Sequence, residues 1–288
     1  MLPVLVSFGS FSIHTLPFFL VISFFLMLFL FWRKGRAEHL SEYAVFDVLL
    51  LALLGGLLLG RLVFIVVQYP SFQLDVGKWL NVLGSPGMHS VGFIAGMSYV
   101  LYRQALKRKW DAFEVLDFLS IALSFTLSFL YVGLFFDGAG HGRATTLPIG
   151  IRLPESVDAY HPRQLYVSLG FLLIGIFLTR VEYRYRTFSW YRSSKNTAKT
   201  GFLFSCFLLF AGSLLFLASL TQNQLGTLPY GNYVLYLLLA ASGAVLLWRR
   251  SGSSERLFSS KSSQSTHVRL LDSEFQTSPP SPTSEETA

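Results

Sequence analysis

The chain has 288 residues, 52% apolar and 14% charged, with 23 Lys and Arg against 16 Asp and Glu for a net charge of +7. Soluble domains carry about a quarter charged residues, so this composition excludes one and points to an integral membrane protein. Cys206 is the single cysteine, which excludes an intramolecular disulfide.

In chain order, apolar runs long enough to cross a bilayer fall at 16–32, 44–69, 91–106, 113–136, 165–178, 202–220 and 230–248. The expectation is an all-α integral membrane protein with seven transmembrane helices, the short fifth run borrowing residues from its flanks. No positive residue precedes the first run and no small-residue cleavage site follows it, so it reads as a retained helix. Basic residues gather in alternate connections. Arg33, Lys34 and Arg36 follow the first run, and Arg103, Lys107, Arg108 and Lys109 follow the third. Arg180, Arg184, Arg186, Arg192, Lys195 and Lys199 follow the fifth, and Arg249 and Arg250 the seventh. The other connections hold Lys78, Arg143, Arg152 and Arg163. The positive-inside rule then places the N-terminus outside and the C-terminus in the cytoplasm. With no uninterrupted basic surface, nucleic acid is excluded as a partner. Residues 1–250 read as one membrane domain, and 251–288 as a disordered, Ser-rich cytoplasmic tail.

Ionisable groups inside apolar runs must be paired or functional. Asp47 and Arg61 share the second run, but fourteen helical residues separate them by about 21 Å, too far to pair. Arg61 follows Gly55, Gly56 and Gly60, small residues that admit a neighbouring helix or a lipid headgroup, and its planar fork suits a phosphate. Snorkelling, or a carboxylate from another helix, is the alternative for it. Glu114 and Asp117 open the fourth run, where carboxylates suit a helix N-terminus and serve structure. Cys206, in an apolar setting, reads as a small buried residue.

Three polar clusters remain. Gly84, Pro86, Gly87, Met88, His89, Ser90, Gly92 and Gly96 surround the start of the third run. His89 there is a candidate base, because imidazole titrates near neutrality, or else an interfacial hydrogen-bonding residue. Residues 133–143 contain glycines at 133, 138, 140 and 142 and end in His141 and Arg143. They form either a ligand-facing backbone or an external loop. Finally, His161-Pro162-Arg163-Gln164-Leu165-Tyr166 sets imidazole, guanidinium, amide and phenol groups at the mouth of the fifth run. Such groups face protein, water or a polar ligand, or else mark an ordinary helix entry with an aromatic anchor.

Taken together, Gly55 with Gly60-Arg61, Gly87-Met88 with Gly92 and Gly96, Gly133 through Arg143, and the HP-x-QLY hexad resemble the prolipoprotein diacylglyceryl transferase family. The resemblance runs from about residue 11 to 248. It implies a multi-pass bacterial inner-membrane protein without metal or organic cofactor. It also implies transfer of a diacylglyceryl group from phosphatidylglycerol to the cysteine of a preprolipoprotein signal segment, with glycerol phosphate released. On this basis Arg61, Gly133, Arg143, His161, Gln164 and Tyr166 are the expected lipid-binding residues; His89 is the candidate catalytic residue on the chemistry of its imidazole and not on the resemblance.

The chain departs from the family pattern where that pattern is charged. Val91 falls where the family has a histidine, Tyr131 where it has an arginine and Leu134 where it has an asparagine. Ala139 and Val167 fall at glutamates, and Leu16 at a tyrosine. A weaker match puts Ala211, Leu215 and Ala218 at an arginine, a glutamate and a second arginine. The expected function is a divergent member that binds phosphatidylglycerol or lipoprotein signal segments with transfer reduced or lost. The alternatives are an active transferase with a rearranged site and a non-catalytic partner-binding membrane protein.

Overall fold

In hydrocarbon a chain must satisfy its own backbone, and each long apolar run here does so as a helix. The computed structural model describes residues 4–8, 11–73, 75–81, 84–152, 156–186, 200–222 and 230–250. The expected tail at 251–288 and the basic residues Arg192, Lys195 and Lys199 lie outside the described residues. A short hairpin, β1 (Val4–Phe8) and β2 (Phe11–His14), leads into α1 (Thr15–Ala37) and α2 (Glu42–Val67). Two helical turns, α3 (Tyr69–Phe72) and α4 (Val76–Leu80), precede α5 (Ser90–Lys107) and α6 (Ala112–Asp137). A second small hairpin, β3 (Ile151–Arg152) with β4 (Ala159–Tyr160), leads to α7 (Arg163–Arg186), α8 (Phe202–Leu220) and α9 (Gly231–Arg250).

The protein is therefore a mostly helical membrane protein, and six of its helices are long and apolar enough to span a bilayer: α1, α2, α6, α7, α8 and α9. The expected third span, α5, is helical but falls short on apolarity, because Arg103, Gln104 and Lys107 occupy its last turns. As expected, the fifth run extends past its apolar core, from Arg163 to Arg186. The two hairpins and the turns α3 and α4 carry no signal strong enough to register in an apolar-run reading.

Packing is organised around α6, whose residues 115–124 and 126–128 are buried on every face. Helix α1 offers it a narrow stripe of Thr15, Ser23, Met27, Phe31 and Gly35, spaced at multiples of four and so aligned along one side. Helices α2 and α5 meet through small residues: a Cβ on Gly96 would lie 2.4 Å from the Gly55 carbonyl oxygen. Helices α8 and α9 approach as closely, with Gly212 against the Ala240 backbone.

The bundle has two chemically different ends. At the end where α1, α5, α7 and α9 finish, cations meet carboxylates: Lys34 pairs with Glu182, Arg108 with Asp47 at 3.6 Å and Arg36 with Glu42 at 3.9 Å. Asp117 is buried there and accepts hydrogen bonds from the Gly201 and Phe204 N–H groups, both at 2.8 Å. It thus caps α8 from another helix: the role is structural, but at a different N-terminus from that of its own helix, which Asp111 caps. Arg250 completes this end, donating to the Thr200 carbonyl and lying over the Phe113 ring. The other end holds the polar clusters.

Candidate functional site

Arg61 is buried near the end of α2 and directs its donors at backbone. Nη1 donates to the Ser85 and Gly87 carbonyls at 2.7 and 3.1 Å, Nη2 to that of Lys78 at 3.1 Å, and Nε to that of Trp79 at 3.3 Å. The Phe64 and Phe72 rings flank the guanidinium at 5.6 and 5.3 Å. Gly87, with φ of +153°, lies where a Cβ would strike the Phe64 ring. Arg61 thereby ties the α2–α5 connection to the bundle, a use of its fork that neither a phosphate nor a carboxylate partner anticipates.

That connection delivers His89 to the interior. Its backbone N–H donates to the Gly60 carbonyl, and its side chain caps α5, with Nδ1 accepting from the Val91 N–H at 3.3 Å. Because Nδ1 accepts, Nε2 carries the proton and donates to Asn232 Oδ1 at 3.1 Å. The ring stacks on Tyr236 of α9. Burial first, and the positive Arg163 as a lesser cause, lower the His89 pKa below its ordinary value, which keeps the imidazole neutral. Next to it, the hydroxyls of Ser90 and Tyr131 lie 3.2 Å apart.

A second group forms around the start of α7. Helix α6 ends on Gly138, whose left-handed backbone (φ 84°) turns the chain toward the loop. Gln164 is buried and donates from Nε2 to the Ala139 carbonyl at 2.6 Å, while its Oε1 has no partner. His161 and Arg143 are joined through backbone, His161 N–H donating to the Arg143 carbonyl, and His161 Nδ1 lies 3.4 Å from the Tyr166 hydroxyl. The exposed Arg143 donates from Nε to the Gln222 carbonyl, drawing the loop to the end of α8. Gly133 faces elsewhere: a Cβ there would meet Phe19 Cβ at 2.4 Å, so it serves the close packing of α6 on α1.

Arg143, His161, Gln164 and Tyr166 are thus brought together, and Arg61 and His89 form a neighbouring group joined through Gly60. The two groups meet at Arg163, which the expected site set omits. Its side chain is buried and close enough to His89 and Tyr236 for its charge to act on both. Its Nε has no partner, and no carboxylate pairs with it among the described residues. Asn232 and Tyr236 were also missed; both lie within the last apolar run, where periodicity makes them helix residues and nothing more.

Of the positions where the resemblance leads one to expect charge, 167, 211, 215 and 218 are apolar and packed. Val167, Ala211 and Leu215 have no exposure, and Ala218 is buried with them in a core that includes Phe171 and Phe207. Cys206 lies in the same core. Among the described residues no three His, Cys, Asp or Glu side chains converge to hold a metal ion.

The family model described as prolipoprotein diacylglyceryl transferase matches residues 3–249. The chain is 30% identical over 237 residues to the phosphatidylglycerol–prolipoprotein diacylglyceryl transferase of Bordetella parapertussis, covering 80% of this chain and 86% of that one. The protein of the same name from Polynucleobacter asymbioticus is 31% identical over 239 residues, covering 80% and 87%. That of Clostridium tetani is 28% identical over 185 residues, covering 62% and 69%. Helices built to span a membrane, a polar end ordered by the HP-x-QLY hexad and a match over almost the whole helical region agree: this chain belongs to the prolipoprotein diacylglyceryl transferase family.

Proposed function

We propose that this protein binds phosphatidylglycerol, or the signal segment of a prolipoprotein, at the polar end of its bundle, with transfer between them reduced or lost. The observation that carries the reading is the apolar core at 167, 211 and 215, where the family pattern calls for charge. In the transfer that the family resemblance implies, a cysteine thiolate forms a thioether to the diacylglyceryl carbon as the carbon–oxygen bond to glycerol phosphate breaks. That step needs a group to take the thiol proton and cations to meet the departing phosphate. Losing one such donor typically costs about 3 kcal/mol of barrier, and several are replaced here together. His89 is the candidate base nearest this chemistry, but in the state described both ring nitrogens are engaged, so acting as a base requires it to release the Val91 N–H.

Within this reading Arg143, His161, Gln164 and Tyr166 frame the headgroup, while Arg61 and Gly133 support it by holding backbone and helix in place. The bundle sits in the bacterial cytoplasmic membrane with seven spans, α5 included, and its N-terminus outside. The alternation of basic residues supports this orientation. A reporter placed after residue 251 should be cytoplasmic and one near Asp75 or Ser156 external; the same side for both removes the seven-span arrangement. The function is tested by expressing the chain in a bacterium depleted of its diacylglyceryl transferase, and by native mass spectrometry of the purified protein with phosphatidylglycerol and phosphatidylethanolamine. Preferential retention of phosphatidylglycerol without rescue of growth is expected. Equal retention overturns the lipid assignment, and full lipoprotein modification overturns the loss of transfer.

A further inference from the structure

We propose that Arg163 is the anion-binding residue of this site: its buried guanidinium, set at the N-terminus of α7, receives the oxyanion of a phosphodiester or phosphomonoester. The inference rests on the lipid-binding reading above and names the group that carries it.

Two features of Arg163 are unfavourable without a ligand. A buried cation costs free energy unless it is paired, and here Nε lacks any partner and no described carboxylate reaches the side chain. Arg163 is also the first residue of the 24-residue helix α7, whose first turn contains no acidic side chain. The positive end of a helix repels a cation and attracts an anion. One anion placed against Arg163 relieves both costs at once.

The surroundings fit that occupant. Tyr236 is close enough to both Arg163 and Tyr131 to interact with each. The Ser90 and Tyr131 hydroxyls add neutral donors, and the hydrogen-bond pattern of His89 makes it neutral as well. Arg163 is then the full charge of the cluster, and it faces groups able to donate to a phosphate oxygen but not to neutralise the arginine. Arg61 provides the contrast: it is buried to the same degree, but its donors meet four backbone carbonyls. The sequence supplies a further reason. The HP-x-QLY pattern leaves the third position open, and this chain fills it with arginine while placing Tyr131 where the family pattern has one. This chain thus carries an arginine at the start of α7 and none at the α6 position where the resemblance leads one to expect it.

The test uses the full chain, purified in neutral detergent free of anionic lipid. The probes are a short-chain phosphatidylglycerol, a phosphatidylethanolamine with the same acyl chains, and glycerol phosphate, read by thermal protection and by native mass spectrometry. Wild-type protein should prefer phosphatidylglycerol. Arg163→Gln should weaken that binding by roughly 10- to 100-fold and phosphatidylethanolamine binding by clearly less, because the ammonium of the latter already offsets its phosphate charge. Arg163→Lys should fall between, since an ammonium keeps the charge and loses the planar fork. Protection of the wild type but not of Arg163→Gln by glycerol phosphate would mean that the phosphate alone suffices. Protection confined to phosphatidylglycerol would mean that the acyl chains are required as well; either outcome supports the proposal. Without ligand, Arg163→Gln should be at least as stable as the wild type, because it removes an unpaired buried charge. Phosphatidylglycerol affinity within twofold of wild type in Arg163→Gln overturns the proposal, and so does failure of that variant to accumulate, which would make the arginine structural. If the wild type itself shows no preference between the two lipids, the lipid-binding reading fails and this inference falls with it.

Discussion

The two ends of the bundle treat positive charge in opposite ways. At one end Lys34, Arg36 and Arg108 each meet a carboxylate, and a buried carboxylate, Asp117, meets two backbone N–H groups. At the other end two buried arginines have no carboxylate among the described residues. Arg61 is satisfied by carbonyls, and Arg163 keeps an unpartnered Nε. At the first end these three cations and Asp117 already have their counterparts. At the second the buried Arg163 keeps an Nε without one, and the proposed ligand site rests on that difference.

Breaking the Arg61 clamp should have the largest effect on stability. Arg61→Ala leaves four carbonyls without their donor and frees the segment that carries His89, so it should destabilise the protein by about 3 kcal/mol or more. The loss should weaken both anionic and zwitterionic lipid binding, measured by unfolding in mild detergent beside a lipid-retention assay. Loss of the anionic lipid alone would make Arg61 a ligand-contacting residue after all.

At the first end, Asp117→Ala should cost about 2 kcal/mol by exposing the Gly201 and Phe204 N–H groups to an apolar interior. Asp117→Asn, which keeps one acceptor, should recover part of this. Neither should alter lipid selectivity; if either does, the two ends are coupled and the contrast between them is too sharp.

A smaller effect concerns pH. Since burial lowers the His89 pKa, the folded state binds fewer protons there than the unfolded chain. The associated stability is complete above about pH 6.5, the ordinary imidazole value, and is lost as the pH falls through the lowered folded value. His89→Asn, which keeps an acceptor for the α5 cap, should flatten this dependence in unfolding curves measured at several pH values. An unchanged pH profile would assign it to another group.

The smallest effects should come from the ion pairs. A double-mutant cycle on Lys34 and Glu182 should give a coupling of about 1 kcal/mol or less, and one on the more exposed Arg108 and Asp47 about 0.5 kcal/mol or less, both declining with added salt.

The bundle itself was largely legible in the sequence. Apolar runs mark all seven long helices, the sixth with identical ends, because in this composition length and apolarity alone select a helix. The run at 165–178 stops short of Arg186 because Arg180 and Glu182 interrupt it; Glu182 finds Lys34 on α1, a partner no local pattern reveals. Similarly, His89 was visible as a candidate base, but Asn232 lies 143 residues away, and it is Asn232 together with the Val91 N–H that fixes its proton on Nε2. For Arg61 the neighbouring glycines suggest an open fork for a phosphate, with snorkelling or a carboxylate as the alternative. The connection that folds over that fork has no apolar signature. Arg163 stood in the hexad throughout, yet the family pattern leaves its position free, so only its burial and unpartnered Nε single it out.

The proposed function pairs a retained lipid site with inefficient transfer. The direct measurement is single-turnover transfer from labelled phosphatidylglycerol to a lipobox peptide, run beside the Bordetella parapertussis relative under the same conditions. The account predicts that this protein retains the labelled lipid while moving at most a small fraction of it to the peptide. Transfer at a rate matching the relative would contradict it.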